Sequence, residues 1–329
     1  MLRDQSSCRF TVVIPTFSRP APLRDCLESL ARMNVPAGGF EVVVVDDGSP
    51  RPLRSVVAQY QDRLPVRYLR QSNSGPATAR NFGASQAHGT YLVFLDDDCQ
   101  VEPDWLVELE AAFAEHPDSM WGGLTLNRLD DNRYSSASQI ILDMVLDYYN
   151  PSPEQITFLT SNNLAMPAER FEELGGFDAR RFSTAGAEDR DLCDRWVARF
   201  GCMRHARKAV IGHYHQMNLR GFWKQNFTYG RGAWTFHRIR SEEGNPRLQR
   251  DARFHLRLPR LLGSQLSRRS WGEVVAALPL LAVWQVANLL GFLSEGWRQR
   301  QASRRFVETP GSSDVIVAES CPGECGASR

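Results

Sequence analysis

Three consecutive carboxylates, Asp96, Asp97 and Asp98, follow directly on the five apolar residues Tyr91–Leu95. Adjacent carboxylates repel one another, so a strand that delivers all three to one sheet edge needs positive charge there. A hard divalent cation on oxygen ligands meets that need. A solvated acidic turn after a core strand is the plainer reading, and the rest of the chain has to decide. Two further acidic pairs occur. Asp46-Asp47-Gly48-Ser49 closes the apolar run 40–45, and Glu188-Asp189 opens a helical stretch ending at Phe200. Acids in a first helical turn also suit the macrodipole on structural grounds alone. His213 and His215 follow the short apolar run 209–211, and on a strand they share a face.

The elements that must position these residues alternate. Residues 10–14, 40–45, 66–69 and 91–95 read as strands, and 21–33, 53–60 and 75–87 as helices. The pattern predicts a parallel α/β sheet with right-handed crossovers, whose ligands sit at the carboxyl ends of the strands. Those ends carry Pro15 to Arg19, Asp46-Asp47 and Asp96-Asp97-Asp98. The first strand–helix turn lacks G-x-G-x-x-G, and a Walker A loop is absent, which disfavours a plain dinucleotide or P-loop site. Beyond the acids, 103–115 reads as an amphipathic helix, 121–126 as a strand, 159–166 as a strand with a polar centre, 168–174 as a helix and 209–211 as a short strand. A helical pattern surrounds Ile140, Ile141, Met144 and Val145.

The net charge of +1 over 329 residues hides an asymmetry. Between Gln216 and Pro310, sixteen Lys or Arg face six Asp or Glu, an excess of ten positive charges. Such a segment points to anionic lipid or phosphorylated ligands; no nucleic-acid motif lies among its arginines, and no nucleic-acid partner is expected. The seven cysteines are scattered, without zinc-finger spacing, and read as free thiols of a reducing compartment. The polar N-terminus, with a first apolar run of only 10–14, does not read as a signal peptide.

Six motifs in order carry a family resemblance: Val-Val-Ile-Pro-Thr-Phe, Val-Val-Asp-Asp-Gly-Ser, Ser-Gly-Pro-Ala-Thr-Ala-Arg-Asn-Phe-Gly, Phe-Leu-Asp-Asp-Asp, Gly-Gly-Phe-Asp and Ala-Glu-Asp-Arg-Asp-Leu. Over roughly residues 8 to 235 the chain resembles family 2 glycosyltransferases of the GT-A fold. The resemblance implies a Rossmann-like mixed, mainly parallel sheet flanked by helices. It also implies transfer of a hexose-type sugar from a nucleotide-diphosphate donor, with inversion and a divalent cation, Mn²⁺ or Mg²⁺. It implies that Pro15 and Phe17 line the nucleobase pocket and that Asp47 accepts a hydrogen bond from the base. Arg80 then lies near the diphosphate or shapes the nucleotide site; a surface helical arginine is the alternative. Asp96-Asp97-Asp98 matches the D-x-D position, with Asp98 on the metal and Asp97 or Asp96 reaching the ribose or donor sugar. Asp189 matches the catalytic base, and His213 a late histidine of the metal site, with His215 open as its substitute.

These residue types suit that chemistry. A diphosphate leaving group gains negative charge that a divalent cation stabilises, and a hydroxyl acceptor needs a carboxylate to take its proton. A sugar nucleotidyltransferase and a non-catalytic nucleotide-sugar-binding protein are the alternatives. The first would want a Gly-rich phosphate loop, and residues 15–19 contain no glycine.

The expected organisation is a GT-A domain over 8–216, a basic, aromatic helical extension over 217–306, and a disordered tail over 307–329. Residues 219–240 interleave aromatic and basic side chains, as an acceptor groove or a membrane-surface contact would. Residues 274–293 are apolar over a length that just spans a bilayer. Spanning, in-plane and packed-helix readings all stand on sequence. The expectation is a cytoplasmic protein at the cytoplasmic face of a membrane, acting on a saccharide or lipid-linked acceptor of cell-surface polysaccharide or glycolipid assembly.

Overall fold

The apolar runs pair as strands because both of their faces are covered. The computed structural model describes residues 8–182, 186–201, 203–245, 248–266 and 268–308. Cys202, Cys321, Cys325 and the expected tail from 309 onward lie outside the described residues. Strand β1 (Phe10–Thr16) lies between β2 (Phe40–Asp46) and β4 (Tyr91–Leu95), parallel to both, with β3 (Val66–Arg70) outside β2. Every residue of β2 and β4 is buried, as expected of parallel strands sandwiched between helices.

Alternate residues feed opposite layers. Val12, Ile14, Val42, Val44, Val93 and Leu95 pack on one face with α1 (Pro20–Arg32), α2 (Arg54–Ala58) and α4 (Trp105–Glu115). Leu92, Phe94 and Val13 pack on the other with α3 (Pro76–Ser85), α6 (Ala168–Glu173) and α7 (Glu188–Phe200). Helix α3 sits so close that a Cβ on Gly83 would lie 2.4 Å from a Val13 methyl. That contact requires glycine.

The sheet continues with β5 (Cys99–Val101), β6 (Trp121–Asn127), β7 (Asn163–Pro167) and β8 (Arg204–His213), in the order β3-β2-β1-β4-β7-β6-β8-β5. Strands β4 and β7, β6 and β7, and β5 and β8 are antiparallel, whereas β6 and β8 are parallel. The sheet is therefore mixed, as expected. Two strand readings need correction. Of the 159–166 run only 163–166 pairs, in β7; the Leu159 N–H donates to Cys193 Sγ and Thr160 Oγ1 to the Asn162 side chain instead. The short 209–211 strand is the middle of the ten-residue β8.

The C-terminal part is helical. Helix α5 (Arg133–Tyr149) is capped by the Asn132 side chain, and α8 (Leu219–Glu242) by Asn218. Helices α9 (Leu248–Leu256), α10 (Leu258–Leu266) and α11 (Trp271–Glu308) follow. Ile140 and Met144 of α5, Phe222 of α8, Phe254 of α9 and Leu280, Leu281 and Trp284 of α11 form one further core. At the α8–α11 contact, a Cβ on Gly230 would lie 2.0 Å from the Asn288 carbonyl oxygen, and one on Gly291 2.0 Å from that of Phe227. Backbone meets backbone there.

Candidate active site

β1 and β4 are neighbours whose connections leave in opposite directions across the sheet, which opens a crevice beyond their carboxyl ends. Asp97 and Asp98 are buried in it, and the Asp96 side chain is partly exposed. Asp97 accepts a hydrogen bond from Thr16 Oγ1 at 2.7 Å and pairs with Arg19 at 2.9 Å. Asp98 Oδ2 lies 2.6 Å from the Arg19 guanidinium and 2.8 Å from His215 Nδ1, while its Oδ1 lies 3.4 Å from His213 Nε2. Local pairing explains the histidines: β5 aligns Cys99 with His213, and the Tyr214 N–H donates to the Asp98 carbonyl. Both imidazoles reach Asp98.

The three acids are not equivalent. Burial works against ionisation of Asp98, but hydrogen bonds from His213 and His215 and the Arg19 charge outweigh it and hold that carboxyl well below its ordinary range. Burial also works against protonated His213, yet Asp98 raises its pKa overall. Burial dominates at Asp97, whose pKa is pushed up to about 7 despite Arg19 and Thr16. Cys99 Sγ lies in a cluster with Asp98 and His213 whose ligand atoms are all within 4.8 Å of one another. Burial pushes its thiol well up, so it stays protonated and is a poor ligand. Oxygen from Asp98 and imidazole nitrogen from His213 and His215 make a donor set suited to a Mn²⁺-like cation.

Asp96 connects this cluster to the second half of the crevice. Arg80 NH2 lies 2.7 Å from Asp96 Oδ1 and NH1 3.2 Å from Glu188 Oε1, with the guanidinium over the Phe177 ring. Arg80 is only 4% exposed, which excludes the surface-arginine alternative. Asp189 follows Glu188 in the first turn of α7, after Ala187 at φ 87°, a left-handed conformation for an L-residue. The helix dipole there is expected to lower the basicity of Asp189. The outcome is the reverse, because burial first and the Glu188 charge second raise its pKa against the Arg190 N–H and Arg80. Five carboxylates, Asp96, Asp97, Asp98, Glu188 and Asp189, thus share two guanidiniums, Arg19 and Arg80. The crevice is short of positive charge.

At the other side, Phe17 is 45% exposed on the loop after β1 and Pro15 is partly buried at the strand's end. The loop is held by the Ser18 N–H, which donates to Ser49 Oγ, and by Ser18 at φ 56°. Asp47 is buried, and its carboxylate accepts from Gln71 Nε2, Asn73 Nδ2 and the N–H groups of Ser74 and Gly75. Four donors fill its lone pairs, so a ligand N–H must displace the Gln71 or Asn73 side chain. Sequence reasoning missed Arg19, Glu188 and those two amides. The signal for Arg19 was its place as the sole cation among the strand ends 15–19, 46–47 and 96–98.

A family model described as glycosyl transferase family 2 matches residues 11–176. Over 106 residues the chain is 43% identical to validoxylamine A glucosyltransferase of Streptomyces hygroscopicus subsp. jinggangensis, covering 32% of this chain and 25% of that protein. Over 231 residues it is 28% identical to the pre-mycofactocin glycosyltransferase of Mycobacterium tuberculosis, covering 68% of this chain and 46% of that one. The chain thus spans less than half the length of these curated relatives. Among solved structures, the mannosyltransferase PcManGT from Pyrobaculum calidifontis, in complex with GDP-Man and Mn²⁺, matches with a TM-score of 0.63 at 18% identity, over 89% of this chain and 88% of that one. The likeness is one of fold, and the fold is GT-A.

Proposed function

The chain belongs to glycosyl transferase family 2, and from that premise we propose an inverting glycosyltransferase that moves a sugar from a nucleotide-diphosphate donor to an acceptor hydroxyl. The carrying observation is one charged chain, in which His213 and His215 meet Asp98, Arg19 ties Asp98 to Asp97, and Arg80 ties Asp96 to Glu188 beside Asp189. One end of that chain suits a cation, the other a base.

Asp98, His213 and His215 would hold a Mn²⁺ or Mg²⁺ ion, which when bound neutralises charge on the diphosphate leaving group. The carboxylate excess of the crevice and its oxygen–imidazole donor set fit such an ion. Asp96, the acid exposed to the crevice, faces the donor sugar or ribose. Asp97, buried and kept near neutrality, shapes the loop through Thr16. Pro15 and Phe17 line the base pocket and Asp47 reads the base once Gln71 or Asn73 moves. Asp189 takes the acceptor proton as the new bond forms, and its raised basicity suits that task. A single base implies one in-line displacement and inversion.

The acceptor proposed is a saccharide or lipid-linked glycan of cell-surface assembly, met on the cytoplasmic side of a membrane. The poly(ribitol-phosphate) β-N-acetylglucosaminyltransferase TarS of Staphylococcus aureus, 29% identical over 171 residues, supports the polysaccharide class. Calorimetric titration with UDP and Mn²⁺ tests the site. Asp98→Ala is expected to abolish metal-dependent nucleotide binding, and unchanged affinity sinks the assignment.

A further inference from the structure

Helix α11 has two apolar faces, and only one of them is used. Val274, Ala277, Leu281 and Trp284 are buried against the domain. On the opposite side Val275, Leu278, Val286, Leu289 and Leu293 are exposed, between Trp271 at 71% exposure and Trp297 at 66%. With Ala282, their steps of four, three and four residues repeat. Such spacing keeps the row on one straight side of the helix, within an arc of about 100° and over about 39 Å. From Val275 to Trp297 no charged residue interrupts the exposed face. Soluble monomers scatter exposed apolar residues singly; a continuous row marks a docking surface.

The face belongs to a helix long and apolar enough to cross a membrane. Its packing argues against crossing. Glu295, buried, is paired with Arg231 of α8 at 2.8 Å. The glycine contacts at Gly230 and Gly291 bind α11 to α8 backbone to backbone. A spanning α11 would have to drag α8, with Lys224, Arg231, Arg238 and Arg240, into hydrocarbon or leave it and bare a buried ion pair. Charge selects the occupant. Lys224, Arg253, Arg260 and Arg300 are exposed cations without a carboxylate partner among the described residues. A second copy would bring the same exposed cations to this face again. An anionic bilayer complements those charges, and tryptophans at both ends suit its interface.

We propose that α11 lies in the plane of an anionic membrane surface, its exposed row sunk among the lipids and its other face holding the catalytic domain. This deepens the membrane part of the function proposed above and rests on it, but not on the transfer chemistry. In flotation of the full chain, vesicles of phosphatidylcholine with phosphatidylglycerol are expected to carry the protein, and Leu289→Glu/Leu293→Glu to reduce the floated fraction about ten-fold. Both leucines are exposed, so the variant's thermal midpoint is expected to stay in place. Wild-type protein that fails to float, or that self-associates through this row instead, overturns the proposal. In inside-out membrane vesicles from expressing cells, trypsin is expected to remove a C-terminal tag, since both ends of an in-plane helix share the catalytic side. A protected tag means a spanning helix and also overturns it. Donor hydrolysis by the soluble variant separates the two readings: flotation without any turnover sinks the transferase assignment alone.

Discussion

Helix α7 joins two acid clusters of opposite character. At its N-terminus lies the crevice, where five carboxylates share two guanidiniums and two imidazoles. One turn later, Asp191 accepts from Arg240 and Arg195, Asp194 pairs with Arg240, and Asp251 of α9 accepts from Arg190, His237 and Tyr149. There four carboxylates, Glu243 on Arg240 included, meet three guanidiniums and an imidazole. Burial still raises the Asp191 carboxyl somewhat. Burial works the same way at Asp251, where His237 and Arg190 outweigh it and bring that carboxyl far below its usual range. The compensated cluster is a strut between α7, α8 and α9. The uncompensated one pays in stability for a site that can take a cation and a proton.

The contrast can be broken at either end. Asp189→Asn is expected to lower transfer by about 10²–10⁴-fold, the usual range for a lost general base, with nucleotide affinity intact by calorimetry. Arg240→Ala leaves the buried Asp191 with Arg195 as its remaining guanidinium, and chemical denaturation is expected to show a loss of about 1.5–3 kcal/mol. A cost below 1 kcal/mol there would remove the distinction between strut and site.

Asp189→Asn is expected to stabilise the fold on the order of 1–2 kcal/mol at pH 8. The sign follows from linkage. The folded chain holds the Asp189 proton to higher pH than the unfolded chain, so wild-type stability falls as pH rises between the two values. The gain from Asn is therefore absent below about pH 4 and complete above the folded-state value. The smallest effect is expected from Glu188→Gln. It removes a charge that raises Asp189, so the acid limb of the kcat/KM profile moves to lower pH. A limb that stays fixed assigns the base elsewhere.

The parallel half of the sheet was legible because strands covered on both faces leave unbroken apolar runs with polar ends. β5, three residues long, leaves no such trace, and β8 alternates across charged residues that mask all but its centre. Asp98 stands out in the sequence, but its partners Arg19 and His215 come from separate loops, one brought to it by the β1–β4 pairing and the other by the β5–β8 pairing. Asp47 was read as free to meet a base, since nothing local announces that residues 71–75 fold back onto it. For α11, hydropathy averages over the two faces and cannot tell a helix half-sunk in a domain from one surrounded by lipid.

The glycine contacts between α8 and α11 have a consequence for reach. A joint of backbone on backbone leaves no side-chain layer to slip. On the other flank α8 is bolted to α7 by Arg240. Asp189, the carboxylate proposed as base, therefore stands at a set height above whatever α11 rests on. If it sits on a bilayer as proposed, the enzyme would act as a gauge, accepting the hydroxyl that stands off the lipid by that height and passing over those nearer or farther. Lengthening or shortening the stem between lipid and glycan should then change turnover as sharply as changing the sugar.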